Sequence, residues 1–102
     1  MDIYKTIDHL NKLVSQYFDS FEVSYLYGSY AKGTFTSESD IDVVLIFKNN
    51  LSYDQELKLA GFVGEVEYKE DVFIDYHPYT REELKRNPIY YQEVVDKGIC
   101  FG

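Results

Sequence analysis

The chain has 102 residues, 45% of them hydrophobic, and its 18 acidic and 10 basic residues give a formal net charge of −8. This length predicts one domain over residues 1–102 and leaves no room for a separate substrate domain. The lysines are scattered and form no basic patch, so we expect no direct binding of nucleic acid. The acidity is compatible with a basic protein partner and with divalent cations, or serves solubility alone.

Cysteine content and the N-terminal residues bear on the compartment. With one cysteine, Cys100, no internal disulfide is possible, and a single thiol suits a reducing cytosol. The first ten residues carry Asp2 and Asp8 and lack an apolar run, so we expect neither a signal peptide nor a transmembrane segment there. We therefore predict a cytoplasmic protein that does not associate with membranes.

The first predicted elements are a helix and a strand. Apolar residues at helical spacing indicate an amphipathic helix over residues 2–19, with Asp2 as its N-cap. Strand-forming residues follow over 21–27, and this predicted strand ends at Gly28.

A short helical turn and a second strand come next. Residues 30–32 suit a helical turn closed by Gly33, and residues 34–39 are polar and loop-like. The continuous apolar run that follows two acids predicts a strand over residues 40–47. Because such a run indicates burial on both faces, we expect this strand to be central in its sheet.

The second half of the chain predicts another helix. Ser52 and Gln55 form a capping box, and the helix is expected from Tyr53 to about Val63 or Val66. The residues 65–71 read as a charged link. The inward face of the helix is predicted to consist of Leu57, Ala60 and Val63 or Phe62.

The remaining elements complete a mixed α/β pattern. We expect a short strand over residues 72–76, ended by His77 and Pro78. A second capping box at Thr80 and Glu83 opens a short helix that stops before Pro88. A last helix over 89–97 and an apolar, extended tail over 99–102 follow. The predicted fold class is α/β (α+β), a small mixed sheet with flanking helices.

Two acids at the start of the central strand are the first candidate site residues. Asp40 and Asp42 are two residues apart, so on a strand their side chains share one face. Two carboxylates on one face repel each other, and a divalent cation relieves that repulsion. Magnesium prefers such oxygen ligands and keeps positions open for substrate phosphates. One or two ions would serve phosphoryl transfer.

The turn Gly28–Ser29 is the second half of the candidate site. Glycine lets the backbone approach phosphate oxygens closely, and Ser29 adds a hydroxyl donor. Lys32 lies near enough in sequence to reach a phosphate. Either a Gly-Ser or an Asp-x-Asp alone is usually an ordinary turn or strand end, but the two together, ten residues apart, predict a nucleotide site.

Asp75 is the best candidate for a third carboxylate. It lies between Ile74 and Tyr76 on a predicted strand, where an acid is unexpected unless it has a function in a site. Its role would be metal ligand, general base, or both. The alternative is a solvent-facing strand acid. His77 next to it could support the site beside Asp75, but the commoner interpretation is a turn residue before Pro78.

At these residues the sequence resembles the minimal nucleotidyltransferases of the DNA-polymerase-β-like superfamily. The matching elements are Gly28–Ser29, the ten-residue spacer, and Asp40-Ile41-Asp42 followed by apolar residues, with Asp75 extending the match. The resemblance implies the polymerase-β-like nucleotidyltransferase fold. It also implies that Gly28 and Ser29 hold the triphosphate, that Asp40 and Asp42 hold Mg²⁺, and that Asp75 is the third acid.

The resemblance further implies an activity and a partner. Members of this family move a nucleoside monophosphate, usually AMP from ATP, to a hydroxyl. Many minimal members resemble antitoxins that modify a tyrosine of a partner HEPN-domain ribonuclease toxin, and the spacing here matches that subgroup. One departure is Lys32, where relatives often have arginine; lysine keeps the charge but loses bidentate phosphate geometry.

Two other functions remain open at this stage. The acidic domain would also suit a binding module that neutralises a basic partner by occlusion alone. A small-molecule nucleotidyltransferase of the aminoglycoside-modifying type would need further domains or a homo-oligomer to build its acceptor pocket.

Overall fold

The computed structural model describes residues 2–102, which form a four-stranded sheet packed by helices. The predicted class, a small mixed sheet with flanking helices, is confirmed. In chain order the elements are α1 (Ile3–Tyr17), β1 (Phe21–Tyr27), α2 (Ser29–Lys32), β2 (Ile41–Phe47), α3 (Tyr53–Glu70), β3 (Ile74–Tyr79), α4 (Arg81–Lys85), α5 (Pro88–Tyr91), a π-helical segment (Gln92–Asp96) and β4 (Ile99–Phe101).

The strand order of the sheet is β3-β2-β1-β4. β2 pairs antiparallel with β1 and parallel with β3, while β4 pairs antiparallel with the other side of β1. β2 is therefore an inner strand, as its apolar run predicted, and all residues from Val43 to Phe47 are buried. Burial on both faces explains why this strand shows no alternation of polar and apolar residues.

The two faces of the sheet carry two separate hydrophobic cores. On one face, Val43 and Leu45 pack with the apolar residues of α1 and α3. On the other face, Val44 packs with Leu84 and Val94 of the C-terminal helical segments. The C-terminal segments therefore cover the side of the sheet that α1 and α3 leave open.

The first helix follows its sequence pattern closely. The Asp2 carboxylate accepts a hydrogen bond from the backbone N–H of Tyr4 at 3.0 Å, which confirms the predicted N-cap. Ile7, Leu10 and Val14 are fully buried. This helical stripe packs into the core on the α1 and α3 side of the sheet.

The third helix is longer than predicted and turns a different face inward. The predicted charged link 65–71 is wrong, because α3 continues to Glu70 and ends at Asp71, a C-cap in the left-handed conformation with φ 54°. Glutamate and lysine are good helix formers, so their charges do not interrupt it. The inward assignment of Leu57 and Ala60 is also wrong, since Leu57 is 55% exposed. The buried residues of α3 are Leu59, Val63 and Val66.

The third strand begins and ends later than predicted. β3 runs through His77 and Pro78, where a turn was expected, up to Tyr79. β3 is an edge strand, and an edge position tolerates proline because one side of the strand needs no backbone donor.

The C-terminal elements agree with the predicted order. The capping box at Thr80 and Glu83 is present. The last helix begins at Pro88, one residue before the predicted start, and the Asn87 side chain caps it by accepting from the backbone N–H of Tyr90 at 3.1 Å. The apolar tail forms β4. None of the helices within residues 2–102 is long and apolar enough to cross a bilayer.

Candidate active site

The predicted site residues meet where β1 ends and β2 begins. Tyr27 pairs with Asp42 across β1 and β2, and Asp42 pairs with Asp75 across β2 and β3. Residues paired in this way share a face of the sheet, so these three side chains lie on the same side. The parallel pairing of β2 and β3 thus places the third predicted acid directly beside the second.

Gly28 occupies a position that only glycine fits. Its φ of 73° lies in the region that favours glycine, and a Cβ placed on it would collide with the Asp42 carboxylate. The backbone of the turn is therefore in contact distance of the acid. Ser29 follows as the first residue of α2. The close approach brings the Gly28 backbone and the Asp42 carboxylate to one point of the candidate site.

The electrostatics of Asp42 show that the acids crowd one another. Burial raises the pKa of Asp42 above its ordinary value, and the charges of Asp75 and Asp40 raise it further. Asp40 is exposed and directly precedes β2, so it belongs to the loop end rather than to the strand. A bound cation would remove the repulsion that raises this pKa.

The donor chemistry of the site fits magnesium. As the side chains stand, no three His, Cys, Asp or Glu groups in residues 2–102 converge on a single point. Asp42 and Asp75 nevertheless oppose each other on one face, and Asp40 contributes a further negative charge from the adjoining loop end. Three carboxylates are hard oxygen donors of the kind that Mg²⁺ prefers. These residues would hold the ion.

His77 belongs to the site, although the sequence indicated a turn residue. Its Nε2 lies 3.3 Å from Oδ1 of Asp75, and its charge lowers the pKa of Asp42. The interpretation of His77 as part of a turn was wrong because β3 continues past it. A signal was available in the sequence: His77 is two residues from Asp75, which is the spacing of one strand face.

A pair of tyrosine hydroxyls borders the acids. The hydroxyl groups of Tyr27 and Tyr90 lie 2.8 Å apart, and the two rings meet edge to face at 5.7 Å. Burial raises the pKa of Tyr27 and of Tyr90, and the charges of Asp42 and Asp75 contribute to both shifts. Sequence reasoning did not identify Tyr90, which lies 63 residues from Tyr27 along the chain.

Lys32 faces an acid of the C-terminal segment. Its Nζ is 2.5 Å from Oε1 of Glu93, and Lys97 also approaches Glu93, at 3.5 Å. The hydrogen bond and charge of Lys32, supported by Lys97, lower the pKa of Glu93. The predicted role of Lys32 at a phosphate stays a prediction.

The loop that leads to Asp40 is held by its own polar groups. The Ser39 hydroxyl accepts a hydrogen bond from the backbone N–H of Thr36 at 2.9 Å. The backbone N–H of Ile41 then donates to the carbonyl of Phe73 at 2.9 Å, where β2 starts beside the approach to β3. These contacts fix the position of Asp40 relative to the sheet.

A fold with paired acids beside a glycine turn is typical of phosphoryl-transfer enzymes, and comparison with known proteins identifies the family. Residues 7–99 match the sequence profile of the family described as Nucleotidyltransferase domain. The chain therefore belongs to the nucleotidyltransferase domain family, and the predicted enzyme class, nucleotidyltransferase, is confirmed.

Individual relatives agree with this family. A Methanocaldococcus jannaschii protein, MJ0141, provisionally named a protein adenylyltransferase, is 29% identical over 75 residues, or 72% of this chain and 76% of its own length. A chain of a toxin–antitoxin crystal structure with AMP-PNP has a TM-score of 0.67 at 23% identity, with 91% of this chain and 69% of that chain covered. A chain of a Shewanella oneidensis complex of tri-AMPylated HEPN toxin with MNT antitoxin has a TM-score of 0.62 at 19% identity. The match covers 95% of this chain and 69% of that chain.

Proposed function

We propose that this chain is a magnesium-dependent adenylyltransferase that moves AMP from ATP to a tyrosine of a HEPN-domain toxin and so acts as the antitoxin in the cytoplasm. The observation that carries the proposal is the position of Asp42 and Asp75 on one face, with the Gly28 backbone against Asp42. The names of the relatives, an adenylyltransferase and antitoxin complexes, support the choice of AMP and of a protein acceptor.

The roles of the residues follow from their places. Gly28 and Ser29 hold the triphosphate through backbone and hydroxyl donors. Asp40, Asp42 and Asp75 would hold Mg²⁺, which when bound would supply positive charge to neutralise the phosphate oxygens. The tyrosine oxygen forms a bond to the α-phosphorus while the bond from that phosphorus to the bridging oxygen breaks. Pyrophosphate leaves with the electron pair, and Asp75 accepts the phenolic proton.

The test measures the intact mass of a purified HEPN-domain toxin after incubation with this chain, ATP and magnesium. We expect the toxin to gain one adenylyl mass for each modified tyrosine. Asp42→Asn should reduce the rate at least about 100-fold, because a ligand of the ion is lost. Asp19→Asn is the matched control, since Asp19 is an exposed acid at the opposite end of β1 and should leave the rate unchanged.

The remaining functions make different predictions in the same experiment. If the Asp42→Asn variant fully neutralises the toxin and the toxin gains no mass, the chain acts by occluding the toxin and not by adenylyl transfer. A chain that consumes ATP only when a small hydroxyl compound is present would point to a small-molecule acceptor.

A further inference from the structure

A groove of about 940 Å³ opens beside the acids at the start of β2. One wall is the loop 35–39 between α2 and β2, and the other is the segment 71–73 that leads from α3 into β3. Asp40 also lines the groove, so the groove and the candidate active site share a residue. A volume of this size matches that of small-molecule and side-chain pockets, about 300–1,000 Å³.

The groove exposes aromatic rings that the fold does not bury. Phe73 is 77% exposed and Phe35 is 51% exposed. Phe35 stacks on Tyr30, with ring centroids 4.4 Å apart and planes at 5°. Exposed aromatic rings that border a functional site mark contact surfaces, because burying them in a complex recovers free energy. The rings predict an occupant with an apolar side chain.

The charge of the groove indicates which kind of occupant it favours. Among its lining residues are the acids Glu38, Asp40 and Asp71, and none of the described lining residues is lysine or arginine. A triphosphate would be repelled by this lining, whereas a segment with lysine or arginine beside its apolar side chain is complementary to it. The net charge of −8 on the whole chain acts in the same direction.

The groove joins the candidate active site at one residue, Asp40, and its lining residues Tyr30, Ile41 and Val72 pack with the core on the α1 and α3 side of the sheet. In phosphoryl transfer the attacking and leaving oxygens lie roughly in line on opposite sides of the phosphorus. Gly28 lies on the β1 side of Asp42, and Asp75 lies on the β3 side. With the triphosphate at Gly28, the acceptor enters from the β3 side, and the segment 71–73 of the groove leads into that strand.

We propose that this groove binds the segment of the acceptor protein around the target tyrosine. An apolar side chain of that segment lies between Phe35 and Phe73, and lysine or arginine side chains pair with Glu38 and Asp71. The inference rests on the proposed transfer to tyrosine, whose bond changes are those given above, and it adds the sequence character of the acceptor.

The experiment uses the full chain and two labelled peptides of equal length. Each peptide has one tyrosine and one leucine, flanked by lysines in the first and by glutamates in the second. Fluorescence anisotropy without ATP or magnesium measures binding independently of catalysis. We expect the lysine peptide to bind at least tenfold more tightly than the glutamate peptide.

Variants locate this binding. Phe73→Ala combined with Asp71→Asn should weaken binding of the lysine peptide at least tenfold. Asparagine is chosen because it tolerates the left-handed backbone of Asp71. Tyr53→Ala is the matched control, since Tyr53 is 75% exposed at the distant start of α3 and should leave binding unchanged. Thermal unfolding of each variant verifies that it folds.

A second measurement separates an effect on peptide binding from an effect on ATP binding. With magnesium and ATP, the double variant should raise KM for the peptide while KM for ATP stays within twofold. Equal binding of the two peptides, unchanged binding by the double variant, or a rise in KM for ATP alone would each overturn the proposal. Charge-selective binding without any adenylyl transfer would support the groove and overturn the proposed function, so the two failures are distinguishable.

Discussion

Gly28 and Asp42 lie so close together that each restricts the other. The glycine has a positive φ, and any side chain on it would enter the space of the Asp42 carboxylate. Asp42 in turn is partly buried and surrounded by Asp75 and Asp40, which raises its pKa. These two residues therefore combine a close backbone approach, which only glycine allows, with charge repulsion that a bound cation would relieve.

Gly28→Ala should lower both stability and activity. The backbone conformation with φ 73° and ψ −150° is essentially open to glycine alone and costs roughly 1–3 kcal/mol for a residue with a Cβ, and the collision with Asp42 adds to it. Urea unfolding would measure the loss. Gly61→Ala is the control, because Gly61 lies on α3 with open space around it and should gain up to about 1 kcal/mol of stability. Equal stability of Gly28→Ala and the parent chain would contradict the geometry of the turn.

Asp42→Asn should raise the melting temperature by a few degrees at pH 7 in metal-free buffer. Because the folded pKa of Asp42 is raised, its ionised form destabilises the fold at neutral pH, and the amide removes that penalty. The gain should shrink as the pH falls through the raised pKa and vanish below the unfolded value of about 3.9. Adding magnesium should stabilise the parent chain more than the variant. A lower melting temperature of the variant at pH 7 would contradict the claim that the ionised Asp42 carboxylate destabilises the fold.

At the scale of elements, the C-terminal helical segments act as a cover for the acid-bearing face of the sheet. α5 contributes Tyr90, which contacts Tyr27, and the π-helical segment contributes Glu93, which contacts Lys32. π-helical turns are rare and occur often at functional sites, since they shift the side chains that follow them. Here the segment brings an acid to the only lysine of α2.

Glu93→Gln should lower KM for ATP a few-fold if Lys32 binds phosphate. In the present structure Glu93 competes for that ammonium group, and the amide is a weaker competitor. Lys32→Met should raise KM for ATP about tenfold, as expected for the loss of a charged hydrogen bond. Asp96→Asn, an exposed acid of the same segment, serves as the control. A higher KM for ATP in Glu93→Gln would show instead that Glu93 positions Lys32.

Phe101→Ala should destabilise the chain by about 3 kcal/mol, the usual cost of removing a buried phenylalanine. Phe101 is only 9% exposed, packs in the core below α1, and accepts a hydrogen bond through its backbone carbonyl from the Asn11 side chain at 3.0 Å. Cys100→Ala on the same strand changes an exposed residue and should be neutral. Chemical denaturation compares the two; similar small effects would mean that β4 adds little to the fold.

At the scale of the whole molecule, charge and the groove act together. If the proposed groove binds a basic acceptor, the net charge of −8 would steer that acceptor toward the protein and the acids of the groove would select it at close range.

Raising the salt concentration should weaken the use of a basic acceptor. Screening shortens the range of charge interactions from about 10 Å at 0.1 M to about 3 Å at 1 M. Between these concentrations, kcat/KM for the lysine peptide should fall at least tenfold, and the advantage over the glutamate peptide should disappear. A salt-independent preference would contradict selection of the acceptor by the acids of the groove.

The sequence by itself determined the parts of the site that depend on local spacing. Gly28, Ser29, Asp40 and Asp42 lie within fifteen residues, and the burial of β2 follows from its apolar run. Asp75 was predicted as the third acid because an acid stood out among strand residues, and the pairing of β2 with β3 places it beside Asp42. The spacing of residues on one strand face and the residue types of a turn depend only on neighbours along the chain. They can therefore be predicted without knowing which distant residues pack against them.

Only the tertiary structure decided which distant groups meet. The contact of Tyr27 with Tyr90 spans 63 residues and that of Lys32 with Glu93 spans 61, and no local pattern encodes either. The inward face of α3 and the extension of β3 past His77 likewise depended on packing, since the sheet edge accepts Pro78 and the core selects one stripe of the helix. Helix and strand propensities depend on residues that are close in sequence and often leave two local structures nearly equal in free energy. Burial and long-range strand pairing then decide which of the two forms.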